Sequence, residues 1–243
     1  MKLVVTNPHA GTRLTDYAER KIRPYISRTE REQLILDQSD LGAGAVYDMS
    51  GFQDVTELKG EYSRLVVDLN RPLRNALPLT DMDGEPLYKE NGIASGEAEL
   101  RSSIWKDYHD NIAEALSDDS ILLDVHTMKD KNGRPDICIG TGHGKFTNAD
   151  ITVYLFSGIY SLFKDMGVSI ATNHPYSGGY IPSEYAGKEK RAASLEMKRS
   201  LFTDGRGAVN KEKAEELNDR FRKLAERLLN YTSGSSFYLS SWL

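Results

Sequence analysis

Two histidines, one glutamate and an Asn-Arg pair stand where short apolar runs end or pass. His9 follows the run at residues 3–6, and His126 ends the run at 121–125. Asn70-Arg71 follows the run at 65–68, and Glu196 lies inside the run at 192–197. In open α/β sheets, sites gather at the carboxyl ends of strands. This set suits hydrolysis at a metal. A catalytic zinc takes about three N or O ligands and keeps one position open. It lowers the pKa of water from about 16 to about 7. A nearby carboxylate can take the water's proton and return it to a leaving amine. An arginine can grip a substrate carboxylate through two parallel charge-assisted bonds.

Each residue also has a plainer reading. A single histidine after a strand can be hydrogen-bonded structure, and Arg71 can belong to a loop salt bridge. Glu196 sits in an apolar run, where an unpaired charge is unfavourable, so it needs a role or a partner such as Lys198 or Arg199. The compact His-Glu-x-x-His helix is absent. The segment Gly140-Thr141-Gly142-His143-Gly144-Lys145 fails as a phosphate loop: Ile139 stands where the first Gly belongs, and Phe146 stands where Ser or Thr belongs. It reads instead as a loop lining the pocket. No Gly-x-Ser-x-Gly elbow occurs. Cys138 reads as inert packing, His109 and His174 as structural or loop histidines, and 188–191 as a solvated charged loop.

The positioning elements read as strands at 3–6, 65–68, 121–125, 137–140, 168–172 and 192–197, alternating with helices. Thr29 with Glu32 has the form of a capping box opening a helix to about Asp37. Over 97–116, Leu100, Ile104, Tyr108 and Ile112 form one apolar stripe. Asn148 caps a more buried helix over 149–164. Ala214, Leu217, Phe221, Leu224 and Leu228 form a docking stripe near the C-terminus. Residues 71–96, rich in Pro, Asn, Asp and Gly, read as a long irregular loop, of a length that is usually a functional lid or binding loop or else disordered. The aromatic tail 233–243 reads as an edge strand or a partner contact. Such alternation predicts one α/β domain, 1–243, with a central sheet between helices.

The chain of 243 residues carries 31 Lys+Arg and 36 Asp+Glu, a net charge of −5, which argues against a general nucleic-acid binder. One cysteine precludes an internal disulfide and suits a reducing compartment. The N-terminal apolar run is too short for a signal core, and no stretch approaches the roughly 20 apolar residues that span a bilayer. The expected setting is cytoplasmic, with no membrane partner.

Longer strings tie these pieces together. They are Pro8-His9-Ala10-Gly11; Ser39-Asp40 with Val46-Tyr47-Asp48; Val67-Asp68-Leu69-Asn70-Arg71-Pro72; Asp107-Tyr108-His109; Leu123-Asp124-Val125-His126-Thr127-Met128; Pro135-Asp136-Ile137-Cys138-Ile139-Gly140; Ser177-Gly178-Gly179-Tyr180-Ile181; and Leu195-Glu196-Met197. In this order they resemble the N-formylglutamate amidohydrolase (formylglutamate deformylase) family, distant relatives of zinc carboxypeptidases and aspartoacylases.

The resemblance implies a three-layer α/β/α sandwich with a mixed sheet, zinc-exopeptidase-like. It implies cleavage of the amide of an N-acyl amino acid, such as N-formylglutamate, with zinc or another divalent metal such as cobalt. His9, Asp40 and His126 would hold the metal, with Asp48 the rival for the third place. Glu196 would be the general base and acid. Arg64 would polarise the scissile carbonyl or share the carboxylate. Asn70 and Arg71 would hold the carboxylate of a small-molecule substrate, with Gly178, Gly179 and Tyr180 also lining its site. Asp124, two residues before His126, would face the same way and could order that ligand. Arg191 and Ser194 stand where family members often have His and Gln, and 182–185 lack a usual His-Tyr pair. These departures touch the substrate pocket more than the metal set. The alternatives are a carboxypeptidase-like hydrolase of small or cell-wall peptides and a non-catalytic binding module that has lost the metal.

Overall fold

A computed structural model of the chain describes residues 1–89, 92–205 and 207–231. Six strands form one sheet: β1 (Lys2–Asn7), β2 (Val55–Lys59), β3 (Ser120–Met128), β4 (Ile137–Gly140), β5 (Ile170–Thr172) and β6 (Ala192–Lys198). Their order is β2-β1-β3-β6-β4-β5. The first four in that order are parallel, whereas β4 runs antiparallel to β6 and carries β5 parallel to itself.

Alternation along the strands builds two apolar layers. Leu3, Val5, Leu123, Val125, Leu195 and Met197 pack on one face against α3 (Ala43–Val46), α5 (Ala149–Phe163) and α7 (Lys211–Leu229). Val4, Leu122 and Ala192 pack on the other against α1 (Asp16–Lys21), α4 (Ser95–Ala115) and α6 (Tyr180–Tyr185). α2 (Arg28–Gln38) rests on this second layer through Leu34 and Ile35. The result is the expected sandwich with a mixed sheet. On the second face the pattern changes toward the carboxyl ends: Thr6, Asp124, His126, Ser194 and Glu196 replace apolar residues. No helix of the described residues is long and apolar enough to cross a membrane.

Several expectations need correction. Residues 65–68 form no strand. The Ser63 carbonyl accepts from Val66 and Val67 N–H, and its hydroxyl accepts from Leu65 N–H, so the buried run winds into turns. The missing strand is Val55–Lys59, a polar edge strand whose composition hides it. The capping box of α2 is Ser27 with Glu30, two residues before the pair read from sequence. Arg28 then pairs with Glu32 across Thr29, which lies inside the helix. On α4 the stripe is rotated: Leu100 is 46% exposed, while Glu97 and Arg101 are buried. Each step of four residues overshoots a full turn by about 40°, so a row of i+4 positions drifts off the core. Asn148 does cap α5, and the five stripe residues of α7 are buried. The long loop contains a short 3₁₀ turn, Leu73–Asn75. The tail 233–243 lies outside the described residues.

Arg101 explains the polar stripe on α4. Its side chain is fully buried and pairs with Glu97 at 2.7 Å. It also donates to the Tyr88 hydroxyl and to the Val66 carbonyl, anchoring the turn at 63–70. Thr15 donates to the same Glu97 oxygen. Removing one partner of a buried pair strands the other charge and costs about 3–5 kcal/mol. Glu97→Ala should lose that much in urea unfolding. A loss below about 1 kcal/mol would show that Arg101 does not depend on Glu97.

Candidate active site

The parallel strands β1, β3 and β6 end at one edge, and their register brings the reactive residues together. His126 lies opposite Glu196, and Asp124 opposite Ser194, across β3 and β6. The turn after β1 carries His9. Gly11 is required there, because a Cβ at that position would sit 2.3 Å from the Glu61 carbonyl. Asp40 is placed after α2, its N–H donating to the His9 carbonyl. One donor atom each from His9, Asp40 and His126 lies within 4.8 Å of the others, and all three residues are buried.

Each imidazole has a rear and a front. His9 Nε2 meets Asp68 at 2.7 Å, while its Nδ1 lies 3.7 Å from Asp40 and is buried with no hydrogen bond to the described residues. His126 Nε2 meets Asp124 at 2.9 Å, and its Nδ1 meets the same Asp40 oxygen at 2.8 Å. Asp124 also accepts from the Thr6 hydroxyl and from Asn70. The neighbouring carboxylates, Asp124 first, outweigh burial and hold His126 well above the ordinary histidine range. Burial alone would raise Asp40, but bonds and charge from His126 and then His9 hold it well below the ordinary carboxylate range. Asp68 is likewise depressed against its burial, by His9 and Arg64.

The donor set therefore fits a divalent cation. An orphaned imidazole nitrogen, a carboxylate oxygen and a second imidazole converge, each imidazole fixed from behind by a carboxylate, as metal-ligating histidines commonly are. Asp48 lies elsewhere, paired with Lys59 and Ser50.

The group opens on a cavity of about 480 Å³. Glu196 lines it, and among the described residues this carboxylate has no hydrogen-bond or ion-pair partner: Lys198 pairs with Asp136, and Arg199 donates to the Ser39 carbonyl. Burial, assisted by Asp40 and Asp124, pushes Glu196 up to about 7. A cation at the donor set would lower it again. Arg64 lines the cavity, held by Asp68 at 2.8 Å, and Arg71 reaches the same carboxylate at 3.2 Å.

Asn70 is tied into the framework at both ends. Its amide nitrogen binds Asp124 beside His126, and its oxygen accepts from Ile181 N–H. Gly179 permits this, since a Cβ there would sit 2.4 Å from the Asn70 nitrogen. Gly178 and Gly179 line the cavity. Tyr180 does not; its ring faces Trp105 and His109. Ser194 lines the cavity with a buried hydroxyl that has no hydrogen-bond partner among the described residues. The segment 141–144, expected at the pocket, does not line it, because β4 runs antiparallel and its carboxyl end points away.

A family model described as N-formylglutamate amidohydrolase matches residues 1–203. The chain belongs to this family. It is similar to N-formylglutamate deformylases of Pseudomonas aeruginosa (29% identical; 93% of this chain, 92% of that one) and Pseudomonas putida (28%; 84% and 82%). The solved N-formylglutamate amidohydrolase of Ralstonia eutropha JMP134 shares its fold, with a TM-score of 0.76 at 18% identity over 94% of this chain and 93% of that one.

Within this amidohydrolase-family site, sequence reasoning overlooked Asp68 and the basic residues Lys129, Lys131 and Arg134, and it saw Arg199 only as a partner for Glu196. Asp68 carried the same signal as Glu196, a carboxylate on a buried run. The basic residues lie in the connection that leaves the carboxyl end of β3 at the site edge and enters the reversed β4. His109 lies outside the cavity lining. Its Nε2 meets the Leu69 carbonyl at 2.9 Å, and its ring stacks on Trp105. Burial lowers its pKa from 6.5 to about 4. The unfolded chain then binds the proton first, so this contribution to stability is complete above about 6.5 and is lost as pH falls toward 4. An NMR titration should find the His109 ring neutral at pH 5.5. A protonated ring there would contradict the burial argument.

Proposed function

We propose that the chain is a metal-dependent amidohydrolase that removes the formyl group from an N-formyl amino acid, with N-formylglutamate the leading substrate. The observation that carries this reading is a carboxylate without a partner among the described residues, Glu196, facing the same cavity as the converging His9, Asp40 and His126. The names of the relatives support the substrate. A divalent cation such as zinc or cobalt, held by His9, Asp40 and His126, supplies Lewis-acid chemistry, making water more acidic and a carbonyl more electrophilic.

The chain's own groups do the rest. Glu196 accepts a proton from the attacking water and delivers it to the amide nitrogen, so formate and a free amine leave. Arg64, fixed by Asp68, donates to the carbonyl oxygen as negative charge builds there. Arg71 commits its Nε to Asp68, which leaves its outer nitrogens for the substrate carboxylate. Asn70 lines the cavity and holds Asp124 and the Ile181 backbone in place. Asp68 and Asp124 fix the rings of His9 and His126.

Hydrolysis of small peptides is a second reading, favoured by one observation. A further cavity of about 470 Å³ shares Arg64, Asp68, Arg71 and Met82 with the first, giving room beyond one small amino acid. Assays of N-formyl, N-acetyl and dipeptide substrates separate the two.

Dialysis against a chelator should abolish deformylation, and added zinc or cobalt should restore it. Glu196→Gln should lower kcat by about 10²–10⁴ while metal per chain stays unchanged. Asp40→Asn should lose metal, and Asp48→Asn should keep it. Near-normal turnover by the Glu196 variant would remove this residue from the mechanism. Metal-free protein that zinc cannot activate would favour a binding module.

A further inference from the structure

We propose that Arg134 selects a second, side-chain carboxylate on the substrate. This rests on the deformylase reading and adds to it the residue that reads the amino acid's side chain.

Cations line the cavity on two sides of the structure. Arg64 and Arg71 come from the turn at 63–71, and both are already committed to Asp68. Lys129, Lys131 and Arg134 come from the β3–β4 connection, and Arg199 follows β6. Among the described residues, none of these four has an ion-pair partner. They differ in how firmly they are held. Arg199 is tied to the Ser39 carbonyl, and its Nε is buried. Lys131 is exposed.

Arg134 is braced on several sides. Its Cζ sits 5.2 Å from the Tyr176 ring centroid, and Nη1 donates to the Lys129 carbonyl at 3.3 Å. Its backbone N–H closes a turn onto Lys131, and its carbonyl accepts from Lys198 Nζ at 3.1 Å. His174 reaches the adjacent Gly133 carbonyl at 3.2 Å, pinning this segment to the one that carries Tyr176.

A guanidinium placed over an aromatic ring and hydrogen-bonded in this way is restricted before ligand arrives, and its planar fork matches a carboxylate better than a lysine does. Nε and Nη2 make no hydrogen bond to the described residues. An immobilised cation facing a cavity without a counter-ion is complementary to an anionic group of the ligand. Arg71 serves one carboxylate in the reading above, so Arg134 serves another.

The test compares kcat/KM for N-formyl-L-glutamate with that for N-formyl-L-glutamine, its neutral isostere. In Arg134→Met the glutamate-to-glutamine preference should fall roughly ten- to hundredfold, mainly through KM. Arg134→Lys should recover part of it. Lys223→Met, an equal change of charge on the exposed surface of α7, should leave the preference as it was. An unchanged preference in Arg134→Met overturns the proposal. If no formyl substrate is turned over, the deformylase reading has failed, and binding alone decides this one. L-glutamate should then raise the melting temperature of the wild-type protein more than L-glutamine does, and Arg134→Met should erase that difference. No difference in the wild type, or one that survives in the variant, overturns it.

Discussion

Two imidazoles are each gripped from behind by a buried carboxylate, and the arrangement of the site depends on that grip. Asp68 fixes His9 through Nε2, and Asp124 fixes His126 through Nε2. Both rings are thereby turned with Nδ1 toward one carboxylate, Asp40. Four acidic groups, Asp40, Asp68, Asp124 and Glu196, crowd around two histidines and Arg64. His126 sits between Asp40 and Asp124, whose carboxylates hold it well above the ordinary histidine range. Burying these carboxylates is tolerable because Asp40, Asp68 and Asp124 each accept from donors, and Glu196 stands apart as the one without a donor among the described residues.

The apolar layers support this polar cluster. Residues on the second face of β1, β3 and β6 are apolar near the strand starts and polar near the ends, so one face serves both core and site. The turn at 63–70, which brings Asp68, Asn70 and Arg64, has no strand ladder to fix it. It depends on Ser63, on the Val66 carbonyl held by Arg101, and on the Leu69 carbonyl held by His109. Groups outside the cavity therefore determine where its arginines stand.

Much of this was legible in the sequence. Short apolar runs located β1, β3 and β6, and the residues at or just beyond their ends include His9, His126 and Glu196. The resemblance added Asp40, which lies near no recognisable strand. The illegible parts have physical causes. An apolar run of four fits a buried turn as well as a strand, which misplaced residues 65–68. A polar edge strand such as Val55–Lys59 carries no hydrophobic signal. Strand direction cannot be read from composition, so nothing in the sequence shows that the Gly-rich segment after β4 lies at the opposite edge.

The reversed strand also bears on how the pocket can change over evolutionary time. Because β6 lies between β3 and β4, their connection must pass over the end of β6, above Glu196. It forms a roof that no strand ladder holds; side-chain contacts from His174 and Lys198 and a backbone N–H of Ser200 pin it instead. Insertions, deletions or charge swaps there can remodel the chamber without shifting the register of any strand. A scaffold built this way can diversify its ligand preference while the group formed by His9, Asp40 and His126 stays untouched.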